Sequence, residues 1–312
     1  MRFLAALLVA SVAAGARADE AFVTNQLGDS VSVLDLATGE ALATIAVGGK
    51  PAGVAVTQDG TRAYVTSPDG KYVSVIDAAA RRVTGRIALE GGPLGIAVHP
   101  SGAPVYVADW YNARLYVVDP GTATVAATVV TGKSPSGVAV TPDGALILTA
   151  DRDSDQLSLI DARTLIVLAA IPTGTRPFGV TIDASGTRAY TANVGSDDVS
   201  VVDIAQRREV GRVRVGKRPY AVALAGGKGF VTDQYSGAVS VFDIATLRPL
   251  AAIEVGDYPE GIEASADASK VYVANWESNS LSVIDVASLK VVAVLKTGEG
   301  PRAFGAFVRR RP

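Results

Sequence analysis

Residues 51–88 read PAGVAVTQDGTRAYVTSPDGKYVSVIDAAARRVTGRIA, and turn signals divide this stretch into four short segments. The first segment, GVAV, is small and apolar, whereas AYVTS and YVSVID alternate between apolar and polar residues. A period of two residues in segments rich in Val, Ile and Tyr is typical of β-strands. The pair Asp59-Gly60 supplies the positive φ that a tight hairpin turn requires. The stretch therefore predicts an antiparallel sheet of four strands.

Three signatures of this stretch recur along the chain in one register, at a spacing of 42 residues in every step but one, which is 40. A strand ends in a small polar residue at Asn25, Ser67, Asp109, Asp151, Asn193, Asp233 and Asn275. An alternating strand ends in aspartate at Asp35, Asp77, Asp119, Asp161, Asp203, Asp243 and Asp285. A proline opens an apolar strand at Pro51, Pro93, Pro135, Pro177, Pro219, Pro259 and Pro301.

Seven copies of a four-stranded unit predict an all-β fold, a seven-bladed β-propeller closed into a ring. The first copy begins at its second strand, AFVTN, and the last copy ends with an innermost strand alone, residues 301–308. We therefore expect three strands from the N-terminal region and one from the C-terminal region to share the closing blade. Residues 19–312 are predicted to form this single domain.

Residues 1–18 have the features of a signal peptide. Arg2 precedes a short apolar run from Phe3 to Ala14, and Ala16-Arg17-Ala18 has the small-x-small pattern of a cleavage site. We expect cleavage after Ala18, export to the periplasm or the exterior, and a mature monomer without membrane insertion. The alternative is a retained N-terminal helix.

The side chains that several kinds of catalysis require are scarce. The chain has no cysteine and one histidine, His99, which stands in a predicted hairpin turn. Disulfides, thiolate catalysis, zinc sites, Ser-His-Asp triads and haem attachment therefore lack their residues. The run 151–155 resembles the start of a calcium loop, but Gln156 and Ala162 stand where such a loop needs glycine and an acidic residue. We predict no catalytic residue, no metal and no cofactor.

The candidate functional residues lie at one end of the predicted blades. Strand order places the prolines and the loops after the small polar residues at this end, here called the loop-rich face. Residues set by the repeat are structural by default, so the candidates are the aromatic and basic residues that differ between copies. The alternative is that these rings pack over neighbouring loops as local lids. The predicted contact residues are Lys50, Trp110, Tyr111, Arg176, Phe178, Arg218, Tyr220, Tyr235, Tyr258, Trp276 and Arg302.

The motifs FVTN, YVTS and YVAN, together with VSVID and PxGVAV, resemble those of the YVTN-repeat propellers. With a signal peptide, the chain is similar to the YncE-like periplasmic family. The resemblance covers residues 20–308 and implies a ring whose loops form a recognition surface. It also implies two directions for function, because some relatives bind single-stranded DNA and others lie beside redox enzymes. The segment ALAGGKG departs from the pattern, since it is two residues shorter than its counterparts.

These observations predict an exported, non-enzymatic binding or scaffold protein that recognises a periplasmic protein or an anionic small molecule or polymer. Single-stranded DNA is a less favoured partner, because acidic residues on the same face would interrupt a basic groove and the net charge is −2. The alternative is an enzyme or accessory protein of a quinoprotein-type redox system that acts at the mouth of the central channel. A pocket there with converging carboxylates and a shifted pKa would support that alternative.

Overall fold

The computed structural model describes residues 19–310, so the predicted signal peptide lies outside the described residues. Within this range the chain forms 29 strands and one short 3-10 helix, Arg152–Ser154. The strands combine into seven sheets, which confirms the all-β, seven-bladed propeller. No helix between residues 19 and 310 is long and apolar enough to cross a membrane.

The first four blades follow one another along the chain. The closing blade contains β1 Glu20–Asn25, β2 Ser30–Asp35 and β3 Ala41–Ala46. The second blade contains β4 Gly53–Val56, β5 Arg62–Ser67, β6 Tyr72–Asp77 and β7 Arg82–Ala88. The third blade contains β8 Pro93–Val98, β9 Val105–Asp109, β10 Arg114–Asp119 and β11 Thr124–Val130. The fourth blade contains β12 Pro135–Val140, β13 Leu146–Asp151, β14 Gln156–Asp161 and β15 Val167–Pro172.

The other blades have the same order of strands. The fifth blade contains β16 Pro177–Ile182, β17 Arg188–Asn193, β18 Asp198–Asp203 and β19 Arg208–Arg214. The sixth blade contains β20 Pro219–Ala225, β21 Lys228–Asp233, β22 Ala238–Asp243 and β23 Pro249–Glu254. The seventh blade contains β24 Pro259–Ala264, β25 Lys270–Asn275, β26 Ser280–Asp285 and β27 Lys290–Lys296. The C-terminal segment contains β28 Phe304–Ala306 and β29 Val308–Arg309.

The first strand of each blade lies nearest the axis, because these strands contact one another around the ring. The fourth strand lies at the rim, where many of its side chains are exposed. The sheets are antiparallel within each blade, apart from the C-terminal strand β28. In most blades the register shifts just after the proline, as between Pro135 and Val138 of β12. This bulge turns the residue that follows the proline toward the axis.

In five of the seven copies a glycine stands two residues after the proline, where neighbouring innermost strands approach each other closely; Ala221 and Ala303 stand there in the other two. A Cβ atom on Gly95 would lie 1.8 Å from the carbonyl oxygen of Ser136 in the next blade. The second strand of a blade also contacts the next blade, since Thr66 Oγ1 of the second blade donates to the carbonyl oxygen of Leu94 in the third blade at 2.7 Å. Neighbouring blades therefore contact each other at the start of the innermost strands, next to the residues that follow the prolines.

The C-terminal segment divides at the closure of the ring. β28 pairs in parallel with β4 of the second blade, whereas β29 pairs antiparallel with β1 of the closing blade. A single bridge joins Asn25 to Pro301. Gly305 lies in β28 with a φ of 125°, a backbone conformation that favours glycine. The innermost strand expected over residues 301–308 is thus shared between two sheets.

Candidate functional site

The loop-rich face is assembled by backbone hydrogen bonds between pairs of loops. The residue after a small polar position donates its N–H to the residue before a proline, as Gln234 does to Arg218 at 3.1 Å and Trp276 to Tyr258 at 2.9 Å. These bonds hold both loops of a blade together. The candidate residues in the two sets of loops therefore lie at the same end of the ring.

Aspartates of this face hold the residue before several prolines in a left-handed conformation. Arg176 and Arg218 have φ values of 57° and 54°, which are uncommon outside glycine. The N–H of Arg218 donates to Asp197 Oδ1 at 2.9 Å, and the N–H of Arg176 donates to Asp155 Oδ1 at 2.7 Å. Asp155 and Asp197 on this face therefore stabilise the conformation of the loops.

Phe178 and Tyr220, two of the predicted contact residues, are buried rather than exposed, with 7% and 3% of their surface accessible. Their ring centroids are 4.3 Å apart, and Phe304 of the C-terminal segment lies 5.2 Å from Phe178. The Trp110 ring lies 6.0 Å from Phe178, with the Arg152 guanidinium 5.4 Å from its centroid. The bulge after each proline directs these side chains inward. We call this group the axial cluster.

Arg302, expected as a surface contact, lies beside the axial cluster in a buried ion pair. Its Nε is 2.8 Å from Glu260 Oε2, and its Nη2 donates to the Tyr220 hydroxyl. Burial alone would lower the pKa of Arg302, but Glu260 and Tyr220 raise it above its ordinary value. A chain of hydrogen bonds continues outward, because Gln234 Nε2 donates to Glu260 Oε1 at 2.6 Å and Arg218 Nε donates to Gln234 Oε1 at 2.7 Å.

A second group of aromatic side chains remains at the surface. Tyr235 lies 5.6 Å from Tyr258, and Tyr258 lies 6.3 Å from Trp276, measured between ring centroids. Arg218 covers the other end of this row, with its guanidinium 4.9 Å from the Tyr235 centroid. Tyr235 is 59% exposed and Tyr258 is 38% exposed. Leu27, which is 50% exposed, extends the row on the side of Trp276. We call Arg218, Tyr235, Tyr258, Trp276 and Leu27 the aromatic arc.

The arc crosses the closure of the ring. Trp276 Nε1 donates to Gln26 Oε1 at 3.2 Å, so the seventh blade contacts the closing blade. A Cβ atom on Gly300 would lie 2.8 Å from Leu27 Cγ and 3.2 Å from Trp276 Nε1, which places both side chains against this glycine. Sequence reasoning missed Leu27, although it stands two residues after Asn25, at the repeat position of the candidate Tyr235.

Of the other candidates, Lys50 adjoins the Leu27 end of the arc. Its Nζ forms an exposed ion pair with Asp29 at 3.3 Å and donates to the carbonyl oxygen of Leu27 at 3.4 Å. Tyr111, 74% exposed, lies over Gly92, since a Cβ atom on that glycine would be 2.6 Å from the ring. Arg176 is exposed, and its side chain has no hydrogen bond or ion pair to the described part of the chain. Tyr111 and Arg176 belong to the third and fifth blades and do not form a common site with the arc.

A cavity of about 620 Å³ lies on the axis between Phe304 and the opposite face. Glu263 is the acidic residue in its wall, at a position where other copies have Ala, Thr or Gly. Glu263 Oε2 accepts the N–H groups of Phe307 at 2.5 Å and Val308 at 2.7 Å. Burial raises the pKa of Glu263 to about 7. Within residues 19–310, no group of three or more acidic, histidine or cysteine residues could hold a metal ion.

Six four-stranded sheets and one five-stranded sheet in a ring, with the variable residues gathered on one loop-rich face, define a repeat-built seven-bladed β-propeller. The family description "YNCE-like beta-propeller" matches residues 6–100 and 161–309. The chain belongs to the YncE-like β-propeller family.

Two solved structures are similar to this chain. Hydrazine synthase of Kuenenia stuttgartiensis has 21% identity and a TM-score of 0.75, over 82% of this chain and 89% of that one. A functionally unknown protein of Desulfotomaculum acetoxidans has 18% identity and a TM-score of 0.79, over 92% of this chain and 99% of that one. At these identities the similarity shows the fold alone. No match was found among curated proteins.

Proposed function

We propose that this protein is an exported, non-enzymatic binding protein whose aromatic arc docks a periplasmic protein. The observation that carries the proposal is the row of rings formed by Tyr235, Tyr258 and Trp276, in which both tyrosines are exposed and the tryptophan is partly buried. Exposed clusters of large apolar side chains mark interaction sites, and Tyr, Trp and Arg are enriched among the residues that dominate binding energy. Because the rings already pack on one another, little side-chain freedom would be lost on binding.

The charges of this face favour an anionic ligand less than they favour a protein partner. Lys50 is paired with Asp29, and Lys217 Nζ is 2.7 Å from Asp197. Arg302 is buried against Glu260. Single-stranded nucleic acid requires a continuous basic groove along its backbone. We therefore favour a protein partner over single-stranded DNA or another polyanion.

An enzymatic function at the mouth of the central channel is also less well supported than partner binding. On the loop-rich face the axial cluster occupies the axis. On the opposite face Glu263 is the carboxyl group in the cavity wall, and its Oε2 accepts two backbone N–H groups. Acid–base catalysis commonly relies on paired groups with separated pKa values. His99 also lines the cavity, but its Nδ1 is hydrogen-bonded to Ser101 Oγ within its own turn at 2.7 Å, whereas Glu263 accepts from the backbone of the C-terminal segment.

Affinity capture tests the proposal. Residues 19–312 are immobilised as the wild type, as Tyr235→Ser/Tyr258→Ser, and as the control Val130→Ser, and exposed to a periplasmic extract of the source organism. Val130 is 79% exposed on β11 at the rim, so its replacement removes an exposed apolar side chain elsewhere. We expect one protein to be retained by the wild type and the control and lost from the arc variant, with closely similar Tm values. Retention by the arc variant would contradict the proposal.

A further inference from the structure

Three acidic side chains flank the aromatic arc. Asp257 directly precedes Tyr258, and Glu277 directly follows Trp276. The carbonyl oxygen of Glu299 accepts the N–H of Leu27 at 3.1 Å, which places this residue beside the end of the arc. All three acidic residues are exposed, and none forms an ion pair with another residue in the described range 19–310.

The nearby basic side chains are already engaged. Lys50 pairs with Asp29, and Lys217 pairs with Asp197. Arg218 lies over the Tyr235 ring and donates to the side chain of Gln234. Asp257, Glu277 and Glu299 therefore place negative charge, without an ion pair in the described part of the chain, directly beside Tyr258, Trp276 and Leu27.

The rings themselves favour a positively charged group. The faces of Trp and Tyr attract Lys and Arg side chains, and this fold uses the contact for Arg218 over Tyr235. Asp257 and Glu277 are neighbours, because the N–H of Glu277 donates to the carbonyl oxygen of Asp257 at 3.3 Å, and they adjoin Tyr258 and Trp276 in the chain. Tyr258 and Trp276 have no cation over their rings within the described residues. A Lys or Arg side chain placed there would contact a ring and a carboxylate together.

We infer that the protein partner presents a basic segment to the aromatic arc. The inference rests on the proposed function and adds the charge of the partner to it. Complementary charge speeds association and suppresses wrong partners, so the acidic residues would select the partner while the rings supply the contact area. The expected partner segment is a short, exposed and extended run of Lys or Arg residues.

Labelled hexalysine and hexaglutamate are the probes, measured by fluorescence anisotropy at low salt. We expect hexalysine to bind and hexaglutamate not to bind. Glu277→Gln/Glu299→Gln should weaken hexalysine binding about fivefold. The control is Asp69→Asn/Glu90→Gln, which removes the same charge from exposed positions of the loop-rich face at the second and third blades, where Glu90 lies 3.7 Å from Arg114 Nη2. The control should bind hexalysine as the wild type does.

A second readout reports on the arc directly. Trp110 and Trp276 are the two tryptophans of the chain, so Trp110→Phe leaves Trp276 as the single reporter. Hexalysine should change its fluorescence in a saturable manner. Equal binding of hexaglutamate, an equal loss in the control variant, or an unchanged Trp276 signal would overturn the inference. Partner capture that is lost in Tyr235→Ser/Tyr258→Ser but retained in Glu277→Gln/Glu299→Gln would reject the basic segment and leave the proposed function intact.

Discussion

The buried Glu260 and the partly buried Arg302 form an ion pair that joins the C-terminal segment to the innermost strand of the seventh blade, with Nε and Oε2 separated by 2.8 Å. The pair lies beside the Tyr220 hydroxyl, to which Arg302 also donates. Removing one member would leave the other charge buried without its partner, which is far more destabilising than breaking an exposed pair. The closure of the ring therefore depends on a contact between residues 42 positions apart in the chain.

We predict that Arg302→Met lowers the free energy of unfolding by about 3–5 kcal/mol, because Glu260 is left as a buried, unpaired carboxylate. Denaturant unfolding measures this loss. The control is Lys50→Met, which breaks an ion pair whose side chains are 41% and 46% exposed and should cost less than about 1 kcal/mol. Similar losses in the two variants would show that the Arg302 pair does not stabilise the closure.

Gly95→Ala should destabilise the ring by about 2 kcal/mol or more, because its Cβ would overlap the carbonyl oxygen of Ser136 and separate the third and fourth blades. Gly85 is the matched control, since no heavy atom outside its chain neighbours lies within 4 Å of a Cβ built there. Gly85→Ala should leave the Tm unchanged or slightly raised. An unchanged Tm in Gly95→Ala would mean that neighbouring innermost strands do not need this close approach.

Asp233→Asn should stabilise the protein at neutral and alkaline pH. Burial raises the pKa of Asp233 to about 6 in the folded protein, above its ordinary value of 3.8. The folded state therefore holds the proton more tightly than the unfolded state, so stability falls as pH rises through this interval. Asparagine carries no charge, and at the same repeat position Asn193 donates to Ser200 Oγ at 3.0 Å. We expect the Tm of Asp233→Asn to exceed that of the wild type by ~2–4 °C at pH 8.

The pH dependence separates this effect from a general gain in packing. Well below the ordinary pKa of 3.8 the wild-type Asp233 is protonated in both states, so the two proteins should have nearly equal Tm values there. Asp109→Asn is the control, because Asp109 Oδ2 lies 2.9 Å from Arg114 Nε and its pKa is lowered by hydrogen bonds despite burial. That variant should lose stability at pH 8. A gain in Asp233→Asn that is the same at every pH would contradict the explanation.

Glu263 is expected to secure the C-terminal strand through two backbone hydrogen bonds. Glu263→Ala removes the acceptor of the Phe307 and Val308 N–H groups, so their hydrogen exchange should accelerate and the Tm should fall. Glu263→Gln keeps an acceptor oxygen but cannot ionise. Because the pKa of Glu263 is raised to about 7 from 4.5, wild-type stability should decline between those pH values, and Glu263→Gln should not share this decline. Unaltered exchange in Glu263→Ala would exclude the proposed role.

The fold could be predicted from the sequence because local pattern, turn residues and repeat spacing all agree. In residues 51–88 the alternation, the Asp59-Gly60 turn and the proline each indicate the same four-stranded unit, and six further copies repeat it. The location of the loop-rich face followed from strand order alone. Such agreement leaves few alternative folds compatible with the sequence.

The direction of individual side chains at the face could not be predicted in the same way. Phe178 and Tyr220 follow prolines, and a bulge of one residue decides whether such a side chain faces solvent or the axis. The partners of Arg302 could not be predicted for a different reason, since Tyr220 lies 82 residues away in the chain. Contacts made across the ring leave no periodic signal in a single sequence.

The aromatic arc is discontinuous in the chain, because Leu27 belongs to the closing blade while Tyr235, Tyr258 and Trp276 come from the sixth and seventh blades. The hydrogen bond from Trp276 to Gln26 spans 250 residues. The complete surface therefore exists only after the two ends of the chain have met. A partner that requires the whole arc would bind the closed ring and not nascent, truncated or partly unfolded chains, so binding would also report that folding is complete.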